Sequence, residues 1–186
     1  MNKIIGIVVG SLRKESFSKK IAKAILLMAP IGFEFKIISI DDLPSYNQDF
    51  DDYNQVPETY TIFRNNISTV DGVIFVTPEY NRSVPGVLKN AIDIGSRPYG
   101  KSVWNNKPAA IFSSSTGNIS GFGANHHLRQ SLVFLNMPTM QQPEVYLAHI
   151  DKSFDAEGNL ADEHTKDFLN KVVNAYIAWF NQQTKS

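Results

Sequence analysis

The sequence predicts a three-layer α/β fold in which a doubly wound, five-stranded parallel sheet of order 2-1-3-4-5 is covered by helices on both faces. Two observations predict it. Unbroken apolar, β-branched runs of strand length alternate with segments whose apolar residues recur at helical spacing, the pattern of strand–helix units joined by right-handed crossovers. The loops richest in hydroxyls and hydrogen-bonding groups follow the first, third and fourth strands, which lie side by side in that order, at the sheet edge where ligands settle in open α/β folds. With 186 residues the chain is long enough for one sizeable core and short for two, so residues 1–186 read as a single domain.

Lys3 to Val9 is the first strand, continuous and β-branched and therefore central. The loop from Ser11 to Ser18 opens a helix with Ile21, Ala24, Ile25 and Met28 at helical spacing. A helix start offers unpaired N–H groups and the positive end of its dipole, so Ser11, Arg13, Ser16 and Ser18 form a candidate phosphate site. The local string alone equally allows Ser18 to be a plain N-cap and Arg13 a solvated charge. Glu34 to Ile40 is the second strand, followed by a long polar loop, Asp41 to Gln55, whose Tyr46, Phe50 and Tyr53 call for a packing partner. Pro57 starts a helix running to about Ser68.

Val73 to Val76 is the third strand, buried on both faces and stopped by Thr77 and Pro78. The loop Pro78-Glu79-Tyr80-Asn81-Arg82-Ser83 leads to a helix with Pro85 in its first turn and Val84, Val87, Leu88, Ala91, Ile92 and Ile94 as its apolar residues. Lys107 to Ser113 is the fourth strand, and the loop after it carries Ser115 and Gly117 among three glycines and several hydroxyls. A helix from Ala124 to Leu135 follows, with His127, Leu128, Leu132 and Leu135 at spacings compatible with one face. A short last strand lies within Thr139 to Leu147, interrupted by Pro143, and Asp162 to Gln183 is an amphipathic closing helix.

Composition narrows the function. The chain has no cysteine, so a disulfide framework, a thiolate metal site and thiol chemistry are excluded, and redox work requires a bound cofactor. Eighteen basic and eighteen acidic residues cancel, which predicts no electrostatic footprint for nucleic acid or an anionic membrane and favours small-molecule or protein partners. The apolar start MNKIIGIVVGS is too short for a signal sequence and reads as a strand of a cytoplasmic protein. His126 and His127 are adjacent and cannot face one site together, so no metal is expected.

The string PEYNRSVPGVLKNAID, from Pro78 to Asp93, with SRP soon after it, resembles the flavin-binding segment of the NADPH-dependent FMN reductase family, which includes bacterial chromate and quinone reductases. The first loop resembles the family pattern G-S-x-R-x-x-S-x-N, with Ser18 standing where asparagine is usual, and DLPSYNQD resembles the segment that frames the pocket mouth. The family's G-G-A-R before the helix that starts at Ala124 is replaced by Gly121-Phe122-Gly123, so the usual arginine is missing. The resemblance implies a flavodoxin-like fold binding FMN, with NADPH or NADH as hydride donor.

The phosphate would lie on the first loop and the ring between the peptide groups of Pro78, Glu79, Tyr80 and Asn81 on one side and Ser115 and Gly117 on the other. Electrons would pass from the nicotinamide through FMN to a small acceptor such as a quinone, azo compound, chromate or free flavin, with the flavin carrying the chemistry and no catalytic side chain required. A flavodoxin-type electron carrier is the alternative, disfavoured because such carriers are strongly acidic. A phosphate-binding α/β domain without redox function is a third. The spread of apolar residues on the helix after Ser83 predicts a homodimer. The family resemblance adds tetramers built from dimers in some members, a step that the missing arginine at Gly123 bears on.

Overall fold

Lys3–Val9 forms β1, and its side chains divide between the two faces of the sheet: Ile5, Ile7 and Val9 join one buried cluster and Val8 the other. The computed structural model describes residues 2–184. The other strands are β2 (Phe33–Ile38), β3 (Gly72–Thr77), β4 (Ala109–Ser114) and β5 (Val145–Leu147). The order is β2-β1-β3-β4-β5 and every pairing is parallel. This is the expected doubly wound sheet, with the order reversing between β1 and β3.

The helices are α1 (Phe17–Leu26), α2 (Gln48–Asp52), α3 (Glu58–Ser68), α4 (Gly86–Gly95), α5 (Phe122–Phe134) and α6 (Glu163–Gln183). One apolar cluster joins Ile21 and Ile25 of α1 and Leu169, Val172, Tyr176 and Phe180 of α6 to Ile74, Val76 and Phe112 of the sheet. The other joins Tyr60, Phe63 and Ile67 of α3, Leu88 and Ile92 of α4 and Leu128 and Leu132 of α5 to Val73, Phe75 and Ile111. Each fully buried side chain of this size contributes about 1.5–3 kcal/mol. Every residue of β3 and β4 is buried, so their sequences run apolar without alternation, from Val73 to Val76 and from Ala109 to Phe112, before hydroxyl residues end them.

Close packing explains two glycines. A Cβ on Gly72 would lie 2.6 Å from the Tyr176 hydroxyl, which donates to the Pro108 carbonyl at 2.9 Å. A Cβ on Gly95 would lie 2.5 Å from the Trp104 indole nitrogen, whose N–H donates to the Ile92 carbonyl.

Several sequence expectations change. β2 stops at Ile38 rather than Ile40, β4 begins at Ala109 rather than Lys107, and β5 keeps three residues, with Thr139 making only an isolated bridge to Ala109. Within the long polar loop, α2 forms, capped by Asn47, whose side chain accepts from the Asp49 N–H. Tyr46 and Phe50 pack on the Tyr60 ring, whereas Tyr53 faces solvent. The loop is tied down by Arg64, which forms a two-point ion pair with Asp51 at 2.8 and 2.9 Å and donates to the Ile94 carbonyl. His127 is exposed, and the buried face of α5 is Ala124, Asn125, Leu128 and Leu132. On α4, Leu88, Ala91, Ile92 and Ile94 are all covered by the chain itself, so fewer apolar residues await a partner there than the sequence implied. Among the described residues no helix is long and apolar enough to cross a membrane.

Candidate functional site

β1 delivers the first loop. Gly10 N–H donates to the Val76 carbonyl at 2.8 Å, and a Cβ there would meet Thr77 Oγ1 at 2.9 Å, so the chain leaves the sheet pressed against β3. Ser11, Ser16 and Ser18 are all buried beside the start of α1. Ser16 is the N-cap, its Oγ accepting the Lys19 N–H at 3.3 Å, which corrects the reading of Ser18 as a cap. Ser18 Oγ is buried with no hydrogen-bond partner. A buried hydroxyl without a partner costs roughly 1–3 kcal/mol, so its retention points to a ligand. Arg13 is exposed, in no ion pair among the described residues, and its guanidinium lies over the Phe17 ring at 5.5 Å from the centroid. No acidic residue occupies the first turn of α1. The helix start, the hydroxyls and the free cation together favour an anion.

β3 delivers the second loop. Tyr80 and Ser83 exchange two backbone hydrogen bonds of 3.0 Å around Asn81 and Arg82, which have φ of 51° and 63°. Left-handed conformations at both central residues make this a tight type I′ turn. Tyr80 is half-exposed at the mouth, and Asn81 sits at the turn's tip. Glu79 points inward: its Oε2 accepts the Ala124 N–H at the start of α5, at 3.1 Å.

β4 delivers the third loop. Ser115 N–H donates to the Leu147 carbonyl at 3.1 Å, and Ile150 N–H to the Ser115 carbonyl at 3.2 Å, so the segment after β5 is drawn against it. Ser115 Oγ donates to the Gly117 carbonyl and accepts the Gly117 N–H, closing a small turn. Nearby, the Tyr146 hydroxyl lies 3.0 Å from His126 Nε2; burial, with help from Glu144, pushes it up to about 12, so it stays protonated.

The three loops enclose a cleft of about 300 Å³. It brings together Ser11, Arg13, Ser16 and Ser18, then Pro78, Glu79 and Tyr80, and Ser115. Asn81 and Gly117 are not on its wall. Phe17, Ser114, Thr116 and Ile150 are, and the sequence reading passed over them. Phe17 and Thr116 could have been found as neighbours of chosen serines, whereas Ile150 reaches the cleft only through its hydrogen bond to Ser115. A larger groove, about 550 Å³, runs between α4 and α5, but it is lined mostly by helix side chains such as Ile92, His127 and Phe134, and of the three strand-end loops only the second reaches it, through Ser83. Among the described residues no group of three His, Asp or Glu side chains is placed to hold a metal.

Comparison with known proteins decides the family. The family model described as NADPH-dependent FMN reductase matches residues 2–152. The chain belongs to the NADPH-dependent FMN reductase family. A quinone reductase from Pseudomonas putida strain KT2440 is 54% identical over 175 residues, covering 94% of this chain and 93% of that protein. A 2-hydroxy-1,4-benzoquinone reductase from a Burkholderia species is 46% identical, with 94% of each chain covered. Among solved structures, FerB, a flavoenzyme NAD(P)H:(acceptor) oxidoreductase from Paracoccus denitrificans, superposes with a TM-score of 0.89 at 38% identity, covering 97% of this chain and 98% of that one.

The residues present fit the FMN of this family. The unpartnered Ser18 hydroxyl and the anion-favouring start of α1 suit the phosphate, and between the second and third loops Tyr80, Ser114, Ser115 and Thr116 line the cleft with an aromatic ring and hydroxyls suited to a flat polar ring. Gly123, where the family pattern has arginine, has no room for any side chain, because a Cβ would stand 2.6 Å from the Arg82 carbonyl oxygen.

Proposed function

We propose that this FMN reductase family member works as a single FMN-binding domain spanning residues 1–186, using NADPH or NADH to reduce a small acceptor of the quinone class. The family membership and the quinone reductases among its relatives support the reaction class. The observation that carries the reading is the buried, unpartnered Ser18 hydroxyl at the start of α1, in the same cleft as the Pro78–Tyr80 and Ser115 loops.

Bound FMN would supply the redox chemistry, accepting electrons from the nicotinamide and returning them to the acceptor. The chain's residues bind and orient. Ser11, Ser16 and Ser18 with the first N–H groups of α1 would hold the phosphate, and Arg13 would close over it. Pro78, Glu79 and Tyr80 would flank the ring on one side and Ser115 on the other, with peptide N–H groups aimed at the ring's pyrimidine end stabilising negative charge there. Tyr80, at the mouth, would lie against the ring or the incoming substrate.

The active unit is a homodimer in this reading. Val133 and Phe134 of α5 are 76% and 79% exposed beside the α4–α5 groove, an apolar surface that a second copy would cover. Its dependence on a nicotinamide nucleotide suits the cytoplasm.

Steady-state kinetics test the function. One cleft open on one side holds the nicotinamide and the acceptor in turn, so double-reciprocal plots at several acceptor concentrations should be parallel. Intersecting lines would reject alternate occupancy of the cleft.

A further inference from the structure

The second loop does not stand free above the cleft but is seated on the first turns of α5 at three points. Arg82 brings its carbonyl oxygen to where a Cβ on Gly123 would be, at 2.6 Å, with the Arg82 carbonyl carbon at 3.1 Å. Glu79 Oε2 accepts the Ala124 N–H at 3.1 Å and would lie 2.9 Å from the same Cβ. Ser83 Oγ lies 2.9 Å from His127 Nδ1. Positions 123 and 127, four residues apart, lie on one face of α5, and the Ala124 N–H is one of the free donors of its first turn, so the loop rests on the start of that helix. Between these contacts Asn81 and Arg82 are held left-handed, a conformation that persists only where its surroundings enforce it.

Gly123 is a glycine for space, not for conformation. It lies inside α5, where glycine is a poor helix former, and no left-handed φ is required of it. Its obstacle is backbone rather than a flexible side-chain tip, so any larger residue must lift the loop or shift α5. The Glu79 carboxylate is only 11% exposed and meets the positive end of the α5 dipole, which holds the loop down at the point where glycine lets it approach.

We propose that Gly123, with Glu79 and Ser83, is a positioning device that sets the depth of the Glu79–Tyr80 peptide groups against the flavin ring, and thereby tunes FMN affinity and the reduction potential of bound FMN without Gly123 touching the cofactor. This rests on the FMN reading above. Gly123 is absent from the cleft wall, and Ser83 faces the α4–α5 groove instead. Their influence must therefore pass through the loop.

The test compares Gly123→Ala with Gly86→Ala, whose Cβ would meet nothing within 4 Å. FMN dissociation constants come from fluorescence titration of the apoprotein, potentials from dye equilibration, and apoprotein melting temperatures from calorimetry. Gly123→Ala should weaken FMN binding about tenfold and move the bound potential toward that of free FMN, with Gly86→Ala matching the parent protein on both. Ser83→Ala, which removes one seat contact while keeping the glycine, should weaken FMN binding by about two- to threefold and move the potential in the same direction by a smaller amount, and it serves if Gly123→Ala does not fold. A lowered melting temperature with affinity and potential unchanged would overturn the proposal and leave Gly123 a packing residue. Failure of the parent protein to bind FMN would instead overturn the functional reading.

Discussion

Ser16 and Ser18 stand two residues apart at the start of α1, both buried, yet only Ser16 uses its hydroxyl within the chain, accepting the Lys19 N–H, while Ser18 Oγ has no partner. The two serines therefore respond in opposite ways to truncation. Ser18→Ala should leave the apoprotein as stable or more so, because an unpaired buried hydroxyl is removed, yet weaken FMN binding by about 1–1.5 kcal/mol, the worth of one hydrogen bond. Ser16→Ala should destabilise the apoprotein by about 1 kcal/mol through loss of the cap. Calorimetry and flavin titration on the same preparations check both.

Arg13 carries no ion pair among the described residues and rests on Phe17. Arg13→Ala should weaken FMN binding by roughly 1.5–3 kcal/mol, the range of a charge-assisted contact, while the rate of flavin reduction at saturating FMN stays close to that of the parent protein. Titration with riboflavin, which lacks the phosphate, should show little difference between the two proteins. An unchanged FMN dissociation constant would return Arg13 to the role of a solvated loop charge.

How much was legible in the sequence follows from which forces act locally. β1 was readable to its ends, because a central strand buried on both faces needs an unbroken apolar run. Ile40 and Lys107 were read into strands that end or begin without them, because strand ends are set by the reach of neighbouring strands and not by β-propensity. The phosphate-type loop was legible as a cluster of hydroxyls, but which serine caps α1 was not, since that depends on where the helix starts within one turn. Ile150 had no local signal; the parallel register of β5 brings it to Ser115. The Glu79 contact to Ala124 joins residues 45 apart, and nothing in either string announces it.

Arg64 and Asp51 form a largely buried two-point ion pair, with side chains 12% and 3% exposed, which ties α2 and its loop to α3. Arg64→Ala should cost about 3–5 kcal/mol, because it strands a buried carboxylate and frees the Ile94 carbonyl. Combining Arg64→Met with Asp51→Asn should recover much of that loss. Urea unfolding of the single and double variants gives the comparison.

Asp162 caps α6, its carboxylate held below the ordinary range by the Thr165 hydroxyl and N–H, which donate to it at 2.6 and 2.9 Å. A carboxyl depressed in the folded state stabilises fully above its unfolded value, near pH 4, and loses that contribution as pH falls through the lower folded value. Asp162→Asn should therefore be less stable than the parent at neutral pH, and the difference should shrink as acid titrates the parent's carboxylate. Melting temperatures measured from neutral to strongly acidic pH test the convergence; a gap that stays constant would contradict it.

The central claim is that one cleft at the carboxyl edge of β1, β3 and β4 holds FMN and exposes it to a nicotinamide and then to an acceptor. Anaerobic rapid mixing of the FMN-loaded protein with NADPH or NADH, followed by a quinone, tests it most directly. The account predicts that the flavin's visible absorbance is lost on the first mixing and regained on the second. A protein that takes up no FMN, or whose bound FMN keeps its colour with both nucleotides, would contradict it.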